Sequence, residues 1–333
     1  MTSQPKEADF PITFTNDTAI VQVPVRLSVI EAVAFKQTCQ DLILTHESLK
    51  RVAIAFTQTT FMDSSGLGAL ISSYRTAQTK QVEFTLFDTT PQVMAVLKLT
   101  GLDGVLPIET NLEKLPVTSQ KLDEVLPETH PSIKSWMKRI IDIVGAIVGL
   151  VITGILFIPI AIAIYLDDPG PILFAQTRCG WMGKQFRMWK FRSMCVDAEA
   201  KKAELIAQNR VKGAFFKIDN DPRVTRVGRF LRRTSLDELP QFWNVLIGEM
   251  SLVGTRPPTP DEVSSYEVPE WQRLDVKPGM TGEWQVSGRS SIRSFEDVIR
   301  LDLQYQQNWT LVYDLKLILR TITILFNKNS GAV

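Results

Sequence analysis

Histidine and cysteine are scarce in this chain of 333 residues, which contains two of the first and three of the second. The cysteines, Cys39, Cys179 and Cys195, have neither zinc-site spacing nor an even number, so we expect reduced thiols and no metal site built from them. Both histidines, His46 and His130, precede the more basic part of the chain. Histidine acid–base catalysis is therefore disfavoured there, and carboxylates become the first candidates.

The N-terminal residues also lack a basic cap followed by an apolar stretch, so no secretory signal is predicted. The first domain is therefore expected in the cytoplasm.

The net charge of +1 conceals an uneven distribution. Residues 1–130 carry 10 basic and 15 acidic side chains, a net of −5, and the remainder carries 27 and 21, a net of +6. The excess is concentrated in residues 178–233, with 15 basic and 5 acidic side chains. Such a segment suits phosphate ligands or an anionic membrane surface. Nucleic acid is a weaker interpretation, because no recognition motif accompanies the basic segment.

An apolar run from Ile140 to Leu166 dominates the chain, since no charge follows Asp142 until Asp167. Its length suits a bilayer, and we predict a membrane helix over about residues 137–166. Pro159 lies inside the run, where its missing backbone donor favours a bend.

Basic residues flank this run on both sides, with Lys138 and Arg139 before it and Arg178 after it. The positive-inside rule therefore gives no preferred direction. Two topologies stay open from the pattern alone: a single span, and a re-entrant helix that bends near Pro159 and leaves by the face it entered.

Strand and helix patterns alternate over residues 12–108, which predicts a small α/β layer domain. Within it, the segment FMDSSGLGAL, Phe61 to Leu70, predicts a helix capped by Asp63. The same segment is similar to the signature of STAS domains, which occur in anti-sigma factor antagonists. That resemblance implies a possible phosphorylation site at Ser64, where a phosphate would meet a helix N-terminus. Residues 109–132, with interleaved prolines and charges, are predicted to be a linker.

Adjacent carboxylates, Asp237 and Glu238, follow a run of arginines. One interpretation is a capping box from Ser235 to Glu238. Pro240 weakens this interpretation. With Ser235 as the N-cap, the missing backbone N–H of Pro240 would fall just beyond the first turn, where the helix needs that donor for a hydrogen bond. We therefore expect a helix that starts around Asp237, with the two acids close to phosphate-binding arginines.

The second half of the chain contains several blocks in sequence. They are Lys138-Arg139-x-x-Asp142, DPGPILFAQTRCG, KFRSM, DNDPRVTRVGRFLRRTSLDELPQFWNVLIGEMSLVGTRP and PGMTGEWQVSGR. Together these blocks resemble the bacterial sugar transferase family, the monotopic polyprenyl-phosphate phosphoglycosyl transferases, over about residues 134–328. The resemblance implies an α+β membrane domain over residues 133–333, with a re-entrant helix and interfacial amphipathic helices. Thr255 and Glu283 stand where the family usually has Pro and Leu.

The reaction implied by the resemblance moves a sugar 1-phosphate from a UDP-sugar to polyprenyl phosphate and releases UMP, as the first step of exopolysaccharide or other surface glycan assembly. Asp237 is implied as the nucleophile that forms an aspartyl-phosphosugar intermediate, and Glu238 as a ligand of Mg²⁺ or a base. Matched positions implied to bind substrate are Lys190, Arg223, Arg256, Gln285 and Arg289. Those implied at the membrane are Lys138, Arg139, Asp142 and Pro159.

Both domains are expected on the cytoplasmic face of the bacterial inner membrane, because a cytoplasmic STAS-like domain and a site that uses a nucleotide sugar must share one side. Membrane lipids are expected partners, as is a protein or a second copy bound through the STAS-like domain; nucleic acid is not. The alternative is a membrane-tethered STAS regulator with a degenerate transferase domain.

Overall fold

Two compact units make up the computed structural model, which describes residues 10–46, 48–109, 125–198, 200–201, 221–287 and 294–326. Unit 1 comprises the residues up to Thr129 together with Met182–Lys184 and Tyr266–Asp275. Unit 2 comprises His130–Trp181, Gln185–Ser265 and the residues from Val276 onward.

A five-stranded sheet forms the centre of unit 1. Its strands, in spatial order, are β1 (Ile12–Thr15), β2 (Thr18–Gln22), β4 (Arg51–Ala55), β6 (Glu83–Phe87) and β7 (Ile108–Glu109). The β1–β2 pair is antiparallel and the other pairs are parallel. A second ladder of two residues joins β3 (Arg26–Leu27) to β5 (Phe61–Met62). The predicted α/β layer is confirmed; β1, the short ladder and β7 were not predicted.

Three helices accompany the sheet: α1 (Val29–Thr45), α2 (Ser64–Thr79) and α3 (Pro91–Thr100). Asp63 caps α2 as expected, because its carboxylate accepts from the Gly66 amide at 2.9 Å. Unit 1 also contains a 3₁₀ segment, Val268–Asp275, far along the sequence from the rest of the unit.

Unit 2 begins with the short helix α4 (Pro131–Lys134) and continues into α5 (Trp136–Asp167), a single helix of 32 residues that includes Pro159. Among the described residues, α5 is the one helix long and apolar enough to cross a membrane. A stripe along its whole length is buried, and the other faces expose large apolar side chains. The buried positions are Lys138, Asp142, Ala146, Gly149, Thr153, Ile160 and Ile164.

After the apolar run, the sequence predicts two short strands around a glycine-containing turn at Gly180 to Gly183. The structure confirms them, because strand β8 (Leu173–Cys179) pairs antiparallel with β9 (Gln185–Phe191). Helices α6 (Arg226–Thr234) and α7 (Gln241–Ile247) follow, and strand β10 (Ser251–Val253) pairs in parallel with β11 (Gly279–Thr281). The remaining helices are α8 (Pro260–Ser264), α9 (Glu283–Val286), α10 (Phe295–Gln307) and α11 (Leu311–Phe326). The last two confirm the two helices that the sequence pattern predicts between Phe295 and Phe326.

The start of α5 is held by polar contacts with the rest of unit 2. The Lys138 ammonium lies 2.6 Å from the Asp314 carboxylate of α11. The Arg139 guanidinium donates to two carbonyls at the end of α7, those of Val245 and Leu246, at 2.8 and 2.6 Å. Asp142 accepts from the hydroxyl of Ser251 and the amide of Leu252, both at 2.9 Å. The three charged residues expected at the membrane thus bind protein groups.

Candidate active site

A pocket in unit 2 brings together four of the predicted site residues: Lys190, Glu238, Arg256 and Gln285. Its other lining residues are Arg178, Met188, Gln241, Pro257, Gly279, Met280 and Trp284. They come from the β8–β9 hairpin, the segment that leads into α7, the loop after β10, strand β11 and helix α9. Separate blocks of the sequence therefore meet at one cavity.

The hairpin positions Arg178, Met188 and Lys190 on one face. In its register Lys190 pairs with Phe174, Met188 with Gln176 and Phe186 with Arg178, and side chains two residues apart point to the same side of a strand. The Arg178 guanidinium donates to the Gln176 side chain at 2.7 Å and to the Pro257 carbonyl at 2.9 Å.

Arg178 was not among the predicted site residues. Its charge was interpreted as part of the flank of the apolar run and of the basic segment 178–233, although alternation along the hairpin is a signal that places it on the face of Lys190. Burial lowers the pKa of Arg178 to about 10, and the neighbouring charge of Arg256 adds to the effect. The guanidinium nevertheless remains cationic near neutral pH.

Glu238 lies in a 3₁₀ turn, Leu236–Glu238, between α6 and α7. Its carboxylate is 3.2 Å from the Lys190 ammonium. Asp237, in the same turn, is buried with 7% of its surface exposed. A helical segment does begin around Asp237, but it begins as this 3₁₀ turn, and the α-helix α7 starts only at Gln241. Ser235 adopts a left-handed conformation (φ 56°) that ends α6. The capping box is not formed, since the Ser235 side chain makes no cap hydrogen bond.

Arg256 is held in a fixed orientation at the pocket. Its two terminal nitrogens donate to the two carboxylate oxygens of Glu262, at 2.8 and 3.1 Å. Burial by itself would raise the pKa of Glu262, but Arg256 reverses the effect and lowers it. A bidentate pair of this kind fixes the plane of the guanidinium, and a guanidinium is well suited to planar or tetrahedral anions such as phosphate.

One other predicted substrate contact does not join this group, and a second cannot be placed. Arg223 is buried and pairs with Asp221, with 2.6 Å between Nη2 and Oδ2, and it does not line the pocket. Arg289 lies outside the described residues.

Charge and polarity in the pocket suit an anion. The lining contains three cationic side chains and one carboxylate, and Glu262, which is paired with Arg256, adds a second carboxylate, so these five groups sum to a net charge of +1. The Oε1 atom of Gln285 is buried without a hydrogen-bond partner among the described residues. A buried carbonyl oxygen that lacks a donor is costly, so a ligand N–H or O–H at this position would be stabilised.

Ser64 lies in unit 1 and is fully buried. Its hydroxyl donates to the Trp271 carbonyl at 2.7 Å and is hydrogen-bonded to the Asp275 carboxyl group, which also accepts from the Ser64 amide at 3.1 Å. Phosphorylation at Ser64 stays a prediction, and it would require these contacts to break.

Two buried carboxyl groups adjoin Ser64. Burial raises the pKa of Asp275 to about 7, and the charge of Asp63 adds to the effect. Burial likewise raises the pKa of Asp63 to about 6, with a smaller contribution from Glu31. Both values lie above the ordinary 3.8, so the folded unit retains protons that the unfolded chain has already released. Folding stability must then fall as pH rises through this interval.

We therefore expect unit 1 of the whole protein to be less stable at pH 8 than at pH 5.5, by about 1–3 kcal/mol. Hydrogen exchange of β4 and β6 amides at the two pH values, corrected for intrinsic rates, measures the difference. Asp275→Asn is expected to remove most of it, whereas Asp41→Asn on the exposed face of α1 is expected to preserve it. Equal stability at both pH values would contradict the assigned buried acids.

Comparison with known proteins gives two domain matches. The bacterial sugar transferase model matches residues 133–328, and the STAS domain model matches residues 9–115.

Curated relatives align with the second region. Galactosyl transferase CpsE of Streptococcus agalactiae is 50% identical over 193 residues, which are 56% of this chain and 42% of that protein. Undecaprenyl-phosphate galactose phosphotransferase of Salmonella typhimurium is 41% identical over 200 residues, 59% of this chain and 42% of that protein. Exopolysaccharide production protein ExoY of Rhizobium meliloti is 39% identical over 204 residues, 59% of this chain and 90% of that protein.

The chain thus spans less than half the length of the first two relatives and nine-tenths of ExoY. Because the transferase match extends over more than half of this chain and contains every residue of the pocket, the protein belongs to the bacterial sugar transferase family.

Proposed function

We propose that this protein transfers a sugar 1-phosphate from a UDP-sugar to polyprenyl phosphate and releases UMP, which starts a glycan such as an exopolysaccharide on its lipid carrier. The observation that carries the proposal is the pocket of unit 2, where Lys190, Arg178 and Arg256 surround Glu238. The names of relatives, among them an undecaprenyl-phosphate galactose phosphotransferase, support the same reaction class.

The cationic side chains suit the diphosphate of the donor. A diphosphate repels an approaching carboxylate, and positive groups in a partly buried site reduce that repulsion more than water would. Arg256 offers a planar donor group already fixed by Glu262, so little side-chain entropy is lost when a phosphate binds. Gln285 supplies an acceptor oxygen for an N–H or O–H of the same ligand.

Asp237 is proposed as the nucleophile. One carboxylate oxygen forms a bond to the phosphorus that carries the sugar, and the bond from that phosphorus to the bridging oxygen breaks, so that UMP leaves with the electron pair. A phosphate oxygen of polyprenyl phosphate then attacks the same phosphorus and releases Asp237 as a carboxylate. At each step one phosphoanhydride-like bond replaces another, so the free-energy change of each step is small.

Glu238, which lines the pocket, and Asp237, beside it in the same turn, would hold Mg²⁺ together with the substrate phosphates. No group of three His, Cys, Asp or Glu side chains within the described ranges forms a metal site unaided. Mg²⁺ commonly uses one or two carboxylates together with substrate phosphates, which matches this donor set. When bound, the ion would neutralise negative charge on the substrate phosphates.

A re-entrant arrangement of α5 is supported by contacts at its two ends. Near the beginning Lys138 pairs with Asp314, and at the end the Asp167 carboxylate accepts from the Val227 amide of α6 at 2.8 Å. Helix α6 carries four arginines and cannot cross a hydrocarbon layer that is about 30 Å thick. We propose on this basis that both ends of α5 lie on one polar side of the membrane, with the exposed apolar faces of the helix in the lipid; use of a nucleotide sugar would make that side the cytoplasmic one.

Helix α11 is proposed to lie in the membrane interface. The sequence predicts an apolar stripe on this helix, opposed by Asp314, Lys316 and Arg320, and such a stripe is usual in a core but also occurs at a membrane interface. Its members are Leu311, Leu315, Ile318, Ile322 and Leu325. Leu315 and Ile322 of that stripe are exposed, as are Val312 and Leu319, whereas Asp314 is buried on the opposite side. An apolar exposed row beside cationic residues is typical of interfacial helices, and it would bring the pocket to its lipid acceptor.

The test is UMP release by the purified whole protein in nanodiscs that contain polyprenyl phosphate, with Mg²⁺ and each of several UDP-hexoses. We expect release with at least one donor, dependent on polyprenyl phosphate under multiple-turnover conditions. No release with any donor, from protein whose fold is verified by hydrogen exchange, would favour the membrane-tethered regulator.

A further inference from the structure

The N-terminal half of α2 is covered by another part of the chain. Trp271, in the 3₁₀ segment of unit 1, packs directly on Gly68, where an added Cβ would come within 2.6 Å of the indole ring atoms. Trp271 and Leu274 are almost fully buried. Burial of the large Trp271 side chain stabilises this contact. The contact requires glycine at position 68, because a larger residue would collide with the indole ring.

Ser64 is the polar centre of the same contact. Its amide and hydroxyl both bind Asp275, and its hydroxyl also binds the Trp271 carbonyl. At the other border of the segment, Thr129 donates to the Asp275 carbonyl at 2.6 Å. Because Ser64 is fully buried, no atom can be added to its hydroxyl while the segment stays in place.

Extra negative charge at Ser64 would meet an unfavourable environment. The carboxyl groups of Asp63 and Asp275 already adjoin it, and burial disfavours their charged forms. A glutamate or phosphate in place of the hydroxyl would add a like charge and remove two hydrogen bonds to the segment.

The covered segment is linked along the chain to both sides of the pocket. Residues 260–264 precede it and contain Glu262, which orients Arg256. Strand β11 follows it, only four residues after Asp275, and contributes Gly279 and Met280 to the pocket lining. Short covalent connections therefore join residues 266–275 to the helix that contains Glu262 and to the strand that contributes to the pocket lining.

We propose that the N-terminal half of α2 is a docking surface for the chain's own segment Tyr266–Asp275, and that Ser64 is the position at which added negative charge releases the segment and weakens donor binding in the transferase pocket. The docking of the segment on α2 is independent of the proposed function. The effect on donor binding rests on the proposed function.

Hydrogen exchange on the whole protein in nanodiscs tests docking without any assay of activity. In Ser64→Glu we expect amides of residues 268–275 to exchange at least tenfold faster than in the parent, while β4 and β6 change less than twofold. Gln78→Glu is the matched control, because it adds the same charge at an exposed position of the same helix. Equal protection of the segment in the two variants would overturn the proposal.

A second pair of variants acts without charge. Gly68→Ala is expected to displace Trp271 and increase segment exchange, whereas Gly104→Ala, with no atom within 4 Å of its added Cβ, is expected to leave it unchanged. If Ser64→Glu also accelerates exchange of the β4 and β6 amides, the Gly68→Ala and Gly104→Ala pair becomes the deciding test of docking. Unchanged exchange of residues 268–275 in Gly68→Ala would then refute docking.

Donor kinetics complete the test. We expect Gly68→Ala to raise the KM for the UDP-sugar at least threefold with a smaller change in kcat, and Gly104→Ala to match the parent. A loosened segment with an unchanged KM would overturn the coupling to the pocket but leave docking intact. Absence of turnover in the parent would count against the proposed function alone, because exchange still reports docking.

Discussion

Replacement of Asp237 by asparagine is expected to reduce UMP release at least about 1,000-fold, which corresponds to roughly 4 kcal/mol of transition-state stabilisation. The amide has nearly the same size as the carboxyl group, so the buried turn Leu236–Glu238 should keep its shape. It is not a competent nucleophile toward phosphorus. The loss would therefore reflect chemistry and not packing.

Intact-protein mass spectrometry gives the direct measurement. The parent, mixed with Mg²⁺ and a donor but no lipid acceptor, is expected to gain the mass of one sugar phosphate, and Asp237→Asn is expected to gain none. Asp261→Asn in α8 serves as the control for removal of an exposed carboxylate. An adduct of normal yield in Asp237→Asn would exclude Asp237 as the nucleophile.

Glu238→Gln separates the two roles proposed for that residue. If Glu238 acts mainly as the base for the lipid acceptor, the adduct should form and persist after polyprenyl phosphate is added. If it acts mainly as a metal ligand, the adduct itself should be lost. Its 3.2 Å contact with Lys190 makes a change in donor KM an expected accompaniment in either case.

Much of the local structure was predictable because it depends on neighbouring residues. Alternation defined the strands of unit 1, Asp63 marked the start of α2, and the glycine-containing turn marked the hairpin. The turn around Asp237 was not predictable in this way. The left-handed conformation of Ser235 ends α6 one residue before the turn, and no glycine or asparagine signals it.

Other features depended on partners distant in sequence. Lys138 was interpreted as a basic flank of the apolar run, but its partner Asp314 lies 176 residues away. Arg178 was likewise interpreted by its position beside that run, and the hairpin register brings it to the pocket. The segment 266–275 has no sequence pattern that indicates packing with α2. Local patterns identify elements, whereas the partners of single polar side chains require the tertiary fold.

The contact between Lys138 and Asp314 leads to the second large effect. The Lys138 ammonium also donates to the Val253 carbonyl at 2.9 Å, and the Asp314 carboxylate accepts from Tyr305 at 2.9 Å and Trp309 at 3.1 Å. Lys138 and Asp314 are both almost fully buried. Removal of one member of a buried pair leaves the other charge without compensation, which typically costs about 3–5 kcal/mol.

Lys138→Met is accordingly expected to destabilise unit 2 by about 3–5 kcal/mol, measured by hydrogen exchange of α11 in nanodiscs. Lys316→Met, which removes an exposed ammonium two residues from Asp314, is expected to change stability by less than about 0.5 kcal/mol. Adding Asp314→Asn to Lys138→Met should restore much of the loss, because the uncompensated carboxylate is then gone. A double variant as unstable as the sum of its single variants would mean that the two groups act independently. The start of α5 would then be held by packing and by Arg139 and Asp142, without a contribution from this ion pair.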